Sequence, residues 1–154
     1  MRKVILVEEG FNPGLELCRM TGRADDGAVA SFIGQVRAGG DITHLELEDY
    51  PGLTQTALER IADEAIGRWS LSSALILHRL GRMAIGEPIV LTAAAAPHRR
   101  AALEAVTYMI DVLKTEAPFW KKEIGAGFAR WVEPGPEDNR TTQKWLHYRD
   151  ERHE

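Results

Sequence analysis

One cysteine, Cys18, is all the chain has, which excludes an intramolecular disulfide and a cysteine-rich metal site. That scarcity fits a reducing cytoplasm, and Cys18, beside Leu15 and Leu17, is expected to be buried and inert. No hydrophobic run approaches the length of a membrane span. Met1-Arg2-Lys3 is followed by only Val4-Ile5-Leu6-Val7 before Glu8 and Glu9, too short an apolar stretch for a secretory signal. Overall basic charge is also missing: a formal net charge of -4 argues against a general nucleic-acid binder, so any positive patch must be local. Neither a nucleic acid nor a membrane is therefore expected as a partner. Gly34, Gly39 and Gly40 are followed by no Gly-Lys-Ser/Thr and make no phosphate-binding loop. His44 and His78 lack metal-ligand spacing, and no metal site is expected.

What is present is an ordinary soluble domain. The 154 residues, 44% hydrophobic and 27% charged, suffice for one domain with a real core. Strands are predicted over 3–7, 27–36, 42–48, 74–80, 89–95 and 128–133, the second of them buried. Asn12-Pro13 reads as an N-cap with proline in the first turn, opening a short helix to about Met20. Ala57, Leu58, Ile61, Ala62, Ala65 and Ile66 give the stretch from Thr54 to Trp69 one apolar helical stripe. A second long helix is expected from Pro97 to about Glu116, with Pro118 ending it. Residues 81–88 read as a turn-rich connection, and 134–154 as a tail that is mobile or ordered by a partner. The resulting order, β-α-β-β-α-β-β-α-β, suits an α+β sandwich of helices on a mostly antiparallel sheet; a split ferredoxin-like core with an inserted β subdomain remains the other arrangement.

Chemistry concentrates at the two ends of the second long helix. His98, Arg99 and Arg100 open it, where free N–H groups and the helix dipole already attract anions, so local stability would have favoured acids there. Such a conflict is expected at a functional site and points to a phosphorylated or carboxylated ligand. Lys114 closes the helix, with Lys121 and Lys122 just beyond. Arg99 and Lys114 differ by only about 60° around the helix but by roughly 22 Å along it. Either they bind separate groups, or a second copy of the chain brings its helix start beside the helix end of the first.

An ordered set of short motifs carries a resemblance. Phe32-Ile33-Gly34-Gln35-Val36-Arg37, Tyr50-Pro51-Gly52, Ile85-Gly86-Glu87, His98-Arg99 and Leu113-Lys114-x-x-x-Pro118-Phe119-Trp120-Lys121-Lys122-Glu123 together resemble the large, catalytic subunit of molybdopterin synthase, the MoaE family, over residues 3 to 133. The resemblance implies a single catalytic domain over residues 1–133 with an α/β hammerhead-type fold, and a homodimer at the centre of a heterotetramer. It implies as partner a small ubiquitin-like subunit whose C-terminal Gly-Gly thiocarboxylate carries sulfur. The implied reaction turns cyclic pyranopterin monophosphate into molybdopterin by adding two sulfurs, the pterin dithiolene that later holds molybdenum. No cofactor is implied for the enzyme itself, and sulfur delivered by a partner removes the need for a cysteine nucleophile.

By the same resemblance Lys114 and Lys121 are the catalytic residues, acting as acid/base and electrostatic groups, with covalent attachment open. Gln35, Val36, Arg37, His98, Arg99, Lys122 and Glu123 join them in substrate binding, with His98 and Arg99 supplied across the dimer and Lys122 and Glu123 also lining the entrance for the partner's tail. Phe119 and Trp120 are expected to pack in the core or a dimer interface rather than to stack on a pterin. Two features depart from the family: the loop Ala38-Gly39-Gly40-Asp41 is short, and Arg140 aligns with no site residue. Without the resemblance the same residues would also suit an anion- or nucleotide-binding regulatory module, or a scaffold that lost catalysis.

Overall fold

In a computed structural model, residues 1–132 and Trp145 are described. The elements along the chain are β1 (Arg2–Val7), α1 (Pro13–Cys18), β2 (Ala28–Gln35), β3 (Ile42–Asp49), α2 (Leu53–Trp69), β4 (Ser73–Arg79), β5 (Gly81–Ala84), β6 (Pro88–Ala96), α3 (Arg99–Glu116), β7 (Phe119–Gly125) and β8 (Phe128–Val132). They form two four-stranded sheets, ordered β1-β4-β6-β2 and β5-β3-β7-β8. Every pairing is antiparallel except β1 with β4. The α+β expectation holds, with the second sheet as the small β subdomain.

The first sheet is buried on both faces. Ile76, Val90, Ala94 and Ala96 meet Leu58, Ile61, Ala62 and Ala65 of α2 and Ala102, Ala105, Val106 and Met109 of α3. Leu75, Leu77, Leu91 and Ala93 point the other way, toward Phe11, Leu17 and Met20 around α1. Asn12 caps α1 as expected, its side chain accepting from the Leu15 N–H at 3.2 Å. Cys18 is exposed, correcting the expectation of burial. A helix as short as α1 buries no residue fully, and Leu17, one position back, takes the inward direction.

Three further expectations change. The turn-rich connection contains β5, whose Met83 is buried against Leu45 and Leu47 while Arg82 faces out. The stretch after Pro118, for which the sequence predicts no element, is the strand β7, in the interior of the small sheet. β2 is an edge strand paired only with β6, so Phe32 and Ile33 are exposed rather than buried. Of the 134–154 segment only Trp145 falls within the described residues. It is buried, donates through Nε1 to Asp111 at 2.8 Å, and meets the rings of Trp69 and Tyr108 edge-on.

The two sheets are joined by a ring contact. His78 of β4 stacks on Phe119 of β7, centroids 4.1 Å apart, and its Nδ1 lies 3.0 Å from the Arg79 carbonyl. Burial pushes the imidazole down from 6.5 to about 4, so the native ring stays neutral where the unfolded one protonates. Its stabilising share is complete above pH 6.5 and is lost as the pH falls from there toward 4. Urea unfolding at pH 7.5 and 4.5 should show roughly 2–3 kcal/mol of loss from this group. His78→Gln, which cannot protonate, should flatten that part of the slope; an unchanged slope would contradict the assignment.

Candidate active site

Chain direction decides which cations can meet. β6 ends at Ala96 and α3 returns antiparallel across β6 and β2, so the helix start lies at the Ala28 end of β2 and the helix end at its Gln35 end. Lys114, in the last turn of α3, and Arg37, just past β2, therefore share one end of the first sheet. His98 and Arg99 sit at the other end, roughly 22 Å away along the helix. One chain places Arg37 and Lys114 toward one end of the first sheet and His98 and Arg99 toward the other.

Arg37 is aimed by its neighbours. The Val36 N–H donates to the Glu87 carbonyl at 2.9 Å and the Gly86 N–H donates to the Val36 carbonyl at 2.7 Å, so Val36 is tied to the Ile85-Gly86-Glu87 turn. That turn is itself clamped: Glu87 accepts from the Ala84 N–H at 2.6 Å and pairs with the largely buried Arg79 at 3.1 Å. The Ala84 N–H, then Arg79, hold the Glu87 carboxyl below its ordinary range. Val36 is buried with Leu45, Leu47 and Met83, and a bulge at Gly34/Gln35 ends regular pairing just before it. Gln35 itself is exposed.

Lys121 arrives on the same side. In β7 alternate residues face opposite ways, which puts Phe119, Lys121 and Glu123 on the face that carries Leu45 and Leu47, and Trp120 and Lys122 on the other. Lys121 stands opposite Leu47, which packs with Val36, so Lys121 and Arg37 each neighbour that one cluster, and a short segment joins Lys121 to Lys114. Lys122 points away from it, paired with Glu46 at 3.7 Å and lying 4.6 Å over the Trp131 ring. Glu123 stays on the Lys121 face and pairs with Arg130 at 3.5 Å. Phe119 is partly buried on His78, while Trp120 is exposed and stacks on Tyr50.

Electrostatically, the candidate cations stand out by what they lack. Arg2, Lys3, Arg19, Arg23, Arg60, Arg79, Arg100, Lys122 and Arg130 each pair with an acid. Arg37, Arg82, Arg99, Lys114 and Lys121 have no acidic partner among the described residues. Four of those five are the residues singled out for substrate. Unneutralised cations gathered at one corner attract an anion and stabilise negative charge developing on it. Lys114 and Lys121 are exposed in the single chain, so a desolvated lysine requires something else to cover it. At the helix start His98 makes no side-chain cap bond and forms a shallow depression with Arg99, Arg100, Leu103 and Glu104. Arg100 is spent there on Glu104 at 3.0 Å. Among the described residues no three His, Cys, Asp or Glu side chains are grouped to hold a metal ion.

Sequence reasoning missed the supports. Thr54 is fully buried, accepts from the Tyr50 N–H at 2.9 Å and donates to the Pro118 carbonyl at 2.5 Å. Only its place in the first turn of a helix beside Tyr50-Pro51-Gly52 was visible, and no periodicity reports a bond to a residue so distant in sequence. Arg79 and Glu46 were likewise invisible as partners of Glu87 and Lys122.

Fold and site together define a two-sheet α+β protein whose unneutralised cations suit an anionic ligand. A family profile described as MoaE protein matches residues 6–116, and the chain belongs to that family. It is 47% identical over 144 residues to the molybdopterin synthase catalytic subunit of Caulobacter vibrioides, covering 92% of this chain and 96% of that one. Among solved structures, molybdopterin cofactor biosynthesis protein E from Burkholderia multivorans aligns with a TM-score of 0.80 at 40% identity, covering 94% of this chain and 97% of the other. Molybdopterin synthase from Staphylococcus aureus aligns at 0.79 and 32%, covering 86% and 98%.

Gly27 gives the helix-start end a direct test. A Cβ there would lie 2.3 Å from the Pro97 carbonyl oxygen, immediately before His98. Gly27→Ala should cost about 1–3 kcal/mol in urea unfolding. An unchanged midpoint would show that the Pro97-His98 backbone yields freely.

Proposed function

We propose that the chain is the catalytic subunit of a molybdopterin synthase, converting cyclic pyranopterin monophosphate to molybdopterin with sulfur from the C-terminal thiocarboxylate of a small ubiquitin-like subunit. The observation that supports this reading is that cations without an acidic partner among the described residues, Arg37, Arg99, Lys114 and Lys121, fall at the family's motif positions; we take Arg37, Lys114 and Lys121 to form one corner, with Arg99 at the far end of α3. Arg37 and Lys121 hold the substrate's anionic groups. Lys114 stabilises negative charge as the carbon–sulfur bond forms and passes protons, and the small subunit's tail covers both lysines and desolvates them. Gln35 and Val36 set the direction of Arg37, and Glu123 borders Lys121 on the tail's path. Lys122, turned to the opposite face, serves that path through Trp131 and Glu46 rather than the substrate.

The separation of His98 and Arg99 from Lys114 favours a homodimer in which each corner receives the helix start of the other copy. A regulatory anion-binding module would use the same arginines, but it would leave Lys114 and Lys121 without a task.

With cyclic pyranopterin monophosphate and a thiocarboxylated small subunit, the wild-type chain should yield dithiolene product and Lys114→Ala about 10²-fold less or lower. A folded wild type that binds the small subunit yet makes no product would sink the catalytic reading. Co-expressing Lys114→Ala with Arg99→Ala tests the shared site: mixed dimers regain one intact site, about a quarter of all sites under random pairing. No recovery above the single variants would place both residues in one chain's site.

A further inference from the structure

The Tyr50-Pro51-Gly52 turn belongs to the family motif yet holds no substrate-binding candidate, and the structure shows what it touches. Gly52 precedes α2 with no side-chain cap, its φ of 80° turning the chain from β3 into the helix. Two residues on, Thr54 does not use its hydroxyl as an ordinary first-turn residue would, toward solvent or its own helix end. It is fully buried, and its single proton goes to the Pro118 carbonyl in the junction between α3 and β7. The same oxygen accepts from the Tyr50 N–H, closing the turn on itself. The Tyr50 ring then stacks on Trp120 with centroids 5.2 Å apart and planes 27° from parallel. One turn thus grips the junction at two points, Pro118 by its carbonyl and Trp120 by its ring, and the next residue is Lys121.

Two further contacts fix the same junction from the scaffold. Arg60 of α2 pairs with Glu116 at 2.7 Å, and His78 of β4 stacks on Phe119. Lys114 and Lys121 are therefore joined by a short segment whose backbone is held from outside, while neither lysine has a side-chain partner among the described residues to orient it. Placement of the lysines must come from the backbone that carries them.

Resting on the reading of the chain as a molybdopterin synthase catalytic subunit, we infer that Thr54 is a positioning residue for that reaction: its hydroxyl, bridging Tyr50 and Pro118, sets the place of Lys121 relative to Lys114. Displacing a catalytic group by a fraction of its working geometry lowers the rate of the chemical step more than it lowers ground-state binding. The isosteric Thr54→Val keeps the packing and removes the bridge. Thr54→Ser keeps the bridge and removes a methyl group.

The test uses the full chain with its thiocarboxylated small subunit and cyclic pyranopterin monophosphate, and reads kcat and KM separately. Thr54→Val should lower kcat about tenfold with KM within about twofold of wild type, and Thr54→Ser should keep both within about twofold. In a Lys121→Ala background, Thr54→Val should lower kcat no further. Should Thr54→Val fail to fold, Thr54→Ala takes its place against Thr54→Ser. Unchanged kcat in the hydroxyl-free variant, an equal loss in Thr54→Ser, or losses that follow Tm rather than the hydroxyl would each overturn the role. A second readout needs no turnover: amide hydrogen exchange at residues 119–122 should quicken in Thr54→Val and stay at the wild-type rate in Thr54→Ser, and equal rates in all three would overturn it. An inactive wild type would defeat the enzymatic reading alone, and the exchange rates would still decide whether Thr54 fixes the Lys121 segment.

Discussion

The packing of α3 across β6 and β2 is the constraint on which the site depends. It requires small residues at the contact, and Ala94 and Ala96 on the sheet facing Ala102 and Ala105 on the helix supply them, all fully buried. With so little side chain between helix and sheet, the helix lies close and its direction is settled by the tight return from Ala96 through Pro97 to His98. Gly27 shows how close that return is, since its own N–H donates to the Ala96 carbonyl at 3.1 Å and no Cβ would fit beneath Pro97. Once α3 runs antiparallel to β6, Lys114 ends toward the Arg37 end of the sheet and His98 toward the opposite end. A larger residue at Ala94 or Ala105 would lift the helix and separate Lys114 from Arg37 before it altered either side chain.

Much of this was legible in the sequence, and the reasons differ by element. The long helices announce themselves because their apolar stripes repeat at helical spacing over several turns, and α2 and α3 fall within a residue or two of the expected bounds. Asn12-Pro13 is a local signal and was read correctly. β7 was hidden because its inward face mixes Phe119 with Lys121 and Glu123, so the period of two that marks a strand is absent. Ala117, extended at φ -85° and ψ 120° ahead of Pro118, is the local sign that the chain leaves the helix as a strand. β2 looked buried because its β-formers are continuous, yet nothing local to a strand says whether its second edge will find a partner.

The site divides in the same way. Candidate residues could be named from motif order, whereas how they are held could not. Arg79 reaches Glu87, Thr54 reaches Pro118 and His78 reaches Phe119 across long stretches of chain, through contacts with no spacing rule. Lys121 and Lys122 are adjacent in sequence and face opposite sides of a sheet, which only the strand assignment reveals. The adjacent bases therefore do unlike things: Lys122 is neutralised by Glu46 and covered by Trp131, while Lys121 is left without an acid among the described residues.

That contrast explains how a chain with net negative charge can still present unneutralised cations to an anionic ligand. Acids outnumber bases overall, 23 against 19, yet most of the other described cations are consumed in ion pairs while Arg37, Arg82, Arg99, Lys114 and Lys121 keep no acidic partner among the described residues. Such pairs contribute little stability each and are screened by salt. Their effect on the field is larger than their effect on folding, because each removes a competing positive site from the surface and leaves the remaining cations as the attractive locus. The backbone that carries Arg37, Lys114 and Lys121 is then held by contacts one step behind them: Glu87 with Arg79, Pro118 with Thr54, Phe119 with His78. Rigidity comes from groups that never meet the ligand, and charge from groups with no acidic partner among the described residues.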